Sequence, residues 1–109
     1  MNRKMYEEET IEAYASTDSN IVNKVTFFLG IPLIIVFGWL NNKYMSIFSV
    51  EHNEHRLVIV YHGICPVVKS DRLRITGVMT YGGKLGIYGM VMQAITIENI
   101  DTGDIYEKV

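Results

Sequence analysis

Three hydrophobic patterns follow one another along the chain. Residues 1–24 are polar and carry five acids (Glu7, Glu8, Glu9, Glu12 and Asp18) with three bases (Arg3, Lys4 and Lys24). The next sixteen residues, VTFFLGIPLIIVFGWL from Val25 to Leu40, contain no charge. From Leu57 onward the spacing becomes two-residue, the signature of strands whose successive side chains point to opposite faces. Good helix formers and early acids in the first segment predict a short exposed helix from about Lys4 to Ala15. Ser16, Thr17, Asp18, Ser19 and Asn20 then form a polar break with several candidate helix N-caps.

The uncharged run reads as a membrane helix. Sixteen helical residues rise about 24 Å, and extending back to Ile21 brings the length to about 30 Å, the hydrocarbon thickness of a bilayer. Phe27, Phe28, Leu29, Ile31, Leu33, Ile34, Ile35, Val36 and Phe37 leave no polar face for a soluble core helix. Trp39 and Tyr44 fit an interfacial aromatic anchor, and Lys24 can keep its ammonium in water while its stem stays apolar. The preceding segment is acidic and long for a cleaved leader, so the anchor is expected to be retained. Lys43 and Arg56 after the run against Lys24 before it predict a cytoplasmic C-terminal domain. Gly30 and Gly38 are candidates for close helix packing, which would make the chain an accessory subunit of a larger membrane complex.

The C-terminal half predicts strands. Leu57, Ile59 and Tyr61 alternate with Val58, Val60 and His62, so both faces are largely apolar and the strand should be covered on both sides. A turn is expected at Gly63 to Pro66. Leu73, Ile75 and Met79 then fall on one face, with Arg72, Arg74, Thr76 and Thr80 on the other. Ile95 and Ile97 alternate with Thr96 and Glu98 in a third strand region between Ile87 and Ile100. Asp101, Thr102, Gly103 and Asp104 supply turn chemistry before a last strand, Ile105 to Val109. Gly82 and Gly83 suit a hairpin connection, and Gly86 and Gly89 a bulge or close crossing. No GxGxxG opens a helix and no GxxxxGK is present, so these glycines do not read as a phosphate cradle.

Composition narrows the function. The net charge of −2 gives no basic footprint for nucleic acid. Cys65 is the only cysteine, which excludes an internal disulfide and suits a reducing compartment. His52 and His55 lie three apart, a spacing that converges on one ion only in a helix, and no HExxH supports a metal. His62 and Cys65 could form a nucleophile–base pair, but nothing in the spacing fixes their geometry. Lys69, Arg72, Arg74 and Lys84 are candidate contacts to anionic lipid headgroups or to a partner.

The stretch HRLVIVYHGICPVVKSDRLRITGVMTYGGKLGIYGMVMQAITIENIDTG resembles the bacterial pleckstrin-homology-like domains attached to membrane helices. The matching elements are an Arg-Leu strand ending in glycine (Arg56 to Gly63), an Asp-Arg strand (Asp71 to Val78), and a Leu-Gly approach to an Ile- and Thr-rich strand (Leu85 to Ile97). The resemblance implies a curved antiparallel sheet at a membrane surface with scaffold or interaction duties, and it supplies no catalytic residues. A five-stranded OB-like barrel accounts for the same alternation.

The expectation is therefore an α+β chain. A polar tail or short helix occupies residues 1–20, a transmembrane helix 21–42, a connector 43–55 and a small antiparallel β-domain 56–109. Its expected role is that of a non-enzymatic interaction or regulatory module, single-pass and without cofactor. Membrane lipid, a protein partner and a second copy are its expected contacts. The alternative function is a small membrane-associated enzyme or metal protein using His52, His55, His62 or Cys65.

Overall fold

The computed structural model describes residues 7–23, 44–82 and 89–107. Within them the chain is all-β. Seven strands follow one another: β1 (Glu9–Ala15), β2 (Asn20–Asn23), β3 (Tyr44–His52), β4 (His55–Tyr61), β5 (Arg72–Tyr81), β6 (Met90–Asn99) and β7 (Ile105–Glu107). This corrects the expected α+β class. No helix occurs among the described residues, and therefore none there is long and apolar enough to cross a membrane.

The expected N-terminal helix is instead strand β1. Ile11, Ala13 and Ala15 are buried while Thr10, Glu12 and Tyr14 are exposed, a two-residue period that a helix cannot bury on one side. Helix propensity is worth only tenths of a kcal/mol per residue, and six consecutive pairings with β5, from Glu9↔Gly77 to Tyr14↔Arg72, override it. The polar residues after β1 do cap backbone groups, though not those of a helix. Thr17 Oγ1 accepts from Ser49 N, Asp18 Oδ1 from Lys69 N, and Ser19 Oγ from Val67 N.

The expected transmembrane segment, 21–42, is corrected at its start, because Ile21, Val22 and Asn23 are strand residues paired with Ser46, Met45 and Tyr44. The rest of that segment lies outside the described residues. The pairing of Asn23 with Tyr44 nevertheless bears on topology. Paired strands run about 5 Å apart, so the intervening chain leaves and returns at one place. A single crossing would separate its ends by the roughly 30 Å of the hydrocarbon layer. The single-pass reading, with its membrane localisation and sided β-domain, is therefore set aside.

The expected connector, 43–55, holds β3 and the turn into β4. Asn53 and Glu54 both have positive φ, 55° and 66°, which is the two-residue type I′ hairpin geometry. That turn sets the β3–β4 register from His52↔His55 to Ser46↔Tyr61.

Five strands close into a ring in the order β1–β3–β4–β6–β5 and back to β1. β1 achieves closure by serving two neighbours, β5 along most of its length and β3 through Tyr14↔Glu51 and Ala15↔Val50. Every pairing in the ring is antiparallel except β4 with β6. Counting ring strands along the chain, the order is first, second, third, fifth, fourth, with third and fifth parallel. That is the connectivity of an OB-like barrel. β2 extends β3 and β7 extends β6 outside the ring.

The interior is filled by side chains, as so narrow a barrel requires. Phe48, Val50, Ile59, Leu73, Ile75, Met92 and Ile97 meet the small Ala13 and Ala15 of β1. Residues 62–71 form a strap from β4 to β5 and insert Cys65 and Val67 into the same core. Ser46, itself fully buried, pins this strap. Its hydroxyl donates to Gly63 O and accepts from Cys65 N, both at 2.8 Å.

A second apolar cluster lies on the outside of the barrel. Met45, Val60 and Val91 are fully buried there, with Val22, Ile47 and Val58 packed against them. β4 is thus apolar on both faces, as its sequence predicts, and it is the strand at the parallel seam.

Candidate functional site

The surface where β1 passes from β5 to β3 holds the most distinctive combination of exposed side chains. Tyr14, 59% exposed, stands at the end of β1 between its two partners, Arg72 on β5 and Glu51 on β3. Together with Glu12 and Ala13 these residues line a shallow depression of about 260 Å³. Position follows from alternation: Ala13 and Ala15 point into the barrel, so Glu12 and Tyr14 must point out.

The charges here form a network across three strands. Glu12, Arg74 and Glu98 occupy paired positions on β1, β5 and β6. Arg74 Nη2 lies 2.9 Å from Glu12 Oε2, and its Nη1 lies 2.7 Å from Glu98 Oε1. Hydrogen bonds to Glu12 and then Glu98 push the Arg74 guanidinium above its usual range. Arg72 Nη2 stands 4.0 Å from Glu12 Oε1, with about half of the side chain in solvent. The Arg72 guanidinium thus keeps donors available beside Tyr14, whereas that of Arg74 is committed.

Of the four basic residues singled out in the sequence, Arg72 and Arg74 are therefore brought together, interleaved with acids. Lys69 sits apart in the exposed turn of the strap, where its backbone N–H is held by Asp18, and Lys84 lies outside the described residues. Tyr14 and Glu51 escaped the sequence reading because both fell in segments expected to be helix or connector. The signal that could have placed Tyr14 was the Ile11, Ala13, Ala15 alternation.

The groups considered for catalysis or metal binding are placed differently. His52 and His55 face each other across the type I′ turn, joined by sheet register rather than by a helix. No group of three or more His, Cys, Asp or Glu residues is placed to hold an ion among the described residues. His62 Nε2 and Gln93 Oε1 are linked at 3.1 Å, tying the start of the strap to β6. Cys65 points into the core with its thiol fully buried. Asp71, Asp101 and Asp104 serve turns. Asp71 Oδ2 accepts from Val68 N and from Asn99 Nδ2, Asp101 Oδ2 accepts from Arg72 N, and Asp104 Oδ2 accepts from the Thr102 hydroxyl.

Burial pushes the Cys65 thiol up from 9.0 to about 12. The folded barrel holds the neutral thiol while the unfolded chain ionises from about pH 9, so this stabilisation is complete below pH 9 and is lost as pH rises toward 12. The expected slope in that window is about −1.4 kcal/mol per pH unit. Urea unfolding below and above pH 9 should show the difference in stability between the natural chain and Cys65→Ala shrinking across the window. A pH-independent difference would refute the assignment. The same burial should leave Cys65 inert to thiol reagents until the barrel unfolds.

No family model, curated protein or solved structure matches the chain. The resemblance to pleckstrin-homology-like domains gains no support from those comparisons, and the functional reading rests on the residues themselves.

Proposed function

We propose that this barrel is a non-catalytic interaction module that binds a protein partner through the surface around Tyr14 and Arg72. The observation that carries the reading is the exposed Tyr14 ring standing beside a half-exposed arginine over a shallow depression with an acidic rim. Tyrosine and arginine are the residue types that most often dominate protein–protein binding, and a concave surface lets an inserted side chain be desolvated. The potentially reactive groups support it from the other side. Cys65 is sequestered, His62 is tied to Gln93, and the aspartates hold turns. The mixed charge of the patch favours a protein over a polyanion, since Glu12, Glu51 and Glu98 would repel phosphates.

The test is a photo-crosslinking amino acid placed at Tyr14 in cells making the chain. A discrete adduct with one partner protein is expected, and Arg72→Ala should weaken it at least several-fold while leaving the unfolding midpoint nearly unchanged. The proposal fails if position 14 yields no more adduct than an exposed control position such as Thr102.

A further inference from the structure

The Tyr14 surface carries one charge that the fold leaves unanswered. Tyr14 is paired directly with Glu51 on β3 and with Arg72 on β5, so it stands between an anion and a cation. The three carboxylates nearby differ in their partners. Glu12 and Glu98 are both engaged by Arg74, and Glu12 also faces Arg72 at 4.0 Å. The exposed Glu51 carboxylate makes no hydrogen bond or ion pair among the described residues. Arg56, its register neighbour on β4, forms no ion pair with it either. The lining of the depression therefore holds two carboxylates against one guanidinium, and adding the Arg74–Glu98 pair leaves the same negative excess.

We propose that the partner inserts a basic side chain, lysine or arginine, which lies against the Tyr14 ring and pairs with Glu51. This rests on the reading of the surface as a protein-binding site and names the chemistry of what enters it. The negative excess draws a cation and disfavours an acidic segment. An aromatic face adds attraction that a carboxylate alone lacks, because a cation within about 6 Å of a ring centre is held by the ring quadrupole. Tyr14, 59% exposed, offers such a face beside the unengaged carboxylate. Arg72 completes the site differently. With Glu12 already near it, its remaining donors suit a neutral acceptor such as a backbone carbonyl of the same segment. Arginine is the better of the two occupants, since its planar guanidinium can stack on a ring while donating to a carboxylate.

One experiment uses the full chain with the photo-crosslinking amino acid at position 14, combined with Glu51→Gln or with Glu107→Gln. The second substitution removes the same charge on β7, outside the depression. The adduct should fall several-fold with Glu51→Gln and stay unchanged with Glu107→Gln. An adduct undiminished by Glu51→Gln overturns the basic occupant and leaves the Tyr14 surface standing, whereas no adduct at all removes the surface and this inference together. A second experiment needs no partner. A blocked glycine pentapeptide with a central arginine is titrated into the natural chain and followed by amide NMR shifts. Saturable shifts at Tyr14 and Glu51 are expected, weakened by Glu51→Gln and by Tyr14→Leu but kept by Tyr14→Phe. Larger shifts with a central glutamate, or none at these two residues with arginine, overturn the proposal.

Discussion

Gly77→Ala should destabilise the barrel by about 3 kcal/mol, at the upper end of what one added methyl costs in a packed interior. A Cβ at Gly77 would stand 2.3 Å from Gln93 O and 2.9 Å from Ala94 Cα. Both are backbone atoms of β6 and cannot swing aside as a side-chain tip would. The close approach coincides with the break in register between Thr76 and Gly77. Thr76 pairs with Thr96 and Gly77 with Ala94, leaving Ile95 as the extra residue of a bulge. The glycine is needed here for space, since its φ is not among the positive ones. Gly103 makes the contrast: its φ is +87° but nothing lies within 4 Å of an added Cβ, so Gly103→Ala should cost only the local strain, about 1–2 kcal/mol. Urea unfolding of both variants tests this, with the larger midpoint shift expected for Gly77→Ala. Equal stability of Gly77→Ala and the natural chain would mean that the β5–β6 bulge relaxes freely.

Ile59→Ala should cost about 3–4 kcal/mol, within the range for deleting a buried aliphatic side chain. Ile59 is fully buried at the centre of the ring, paired with Phe48 on β3 and with Met92 on β6. It therefore packs on both sides of the parallel seam, where β-strands cannot slide to fill a cavity without breaking the ladder. A barrel of this size has total stability on the order of 5–15 kcal/mol, so the loss should be visible as a strongly reduced denaturation midpoint. Replacing Ile59 with Val, which removes a single methyl group, should cost about 1 kcal/mol. If the two substitutions were indistinguishable, the interior at this point would be loosely filled.

How far the sequence carried can be judged strand by strand. β4, β5 and β7 were legible because their alternation is local and their boundaries carry turn residues such as Gly63 and Asp101 to Asp104. Within β6 the simple period fails at one place. Ile95 and Ile97 read as one face, yet the bulge opposite Gly77 takes Ile95 out of step, so that Ala94 and Ile97 are buried and Ile95 is not. A bulge is a property of two strands together, and one strand's pattern does not announce it. β1 was hidden behind acids and helix formers, whose weak propensities lose to pairing with a partner some sixty residues away. β2 and β3 were obscured by the uncharged run between them, which drew neighbouring residues such as Ile21 and Tyr44 into a reading of membrane anchoring.

The candidate surface was half legible for the same reason. Arg72 and Arg74 stand out as the polar face of an alternating strand. Glu51 joins Glu12 and Tyr14 only when β1 closes the ring, and closure is not written in any one segment. The N-cap residues Thr17, Asp18 and Ser19 show a related limit. Expected to cap a helix, their side-chain oxygens instead accept from the backbone N–H groups of residues 49, 67 and 69.

The way β1 completes the ring has a consequence for how the molecule is made. As synthesis proceeds from the N-terminus, β1 emerges first but its longer partnership, with β5, must wait until about sixty further residues have been added. The parallel seam imposes a similar delay, because β4 cannot meet β6 until β5 has doubled back. Contacts of such sequence separation make for slow acquisition of the native state. Until the last long strand arrives, a nascent chain presents unsatisfied strand edges, which are open to pairing with other chains.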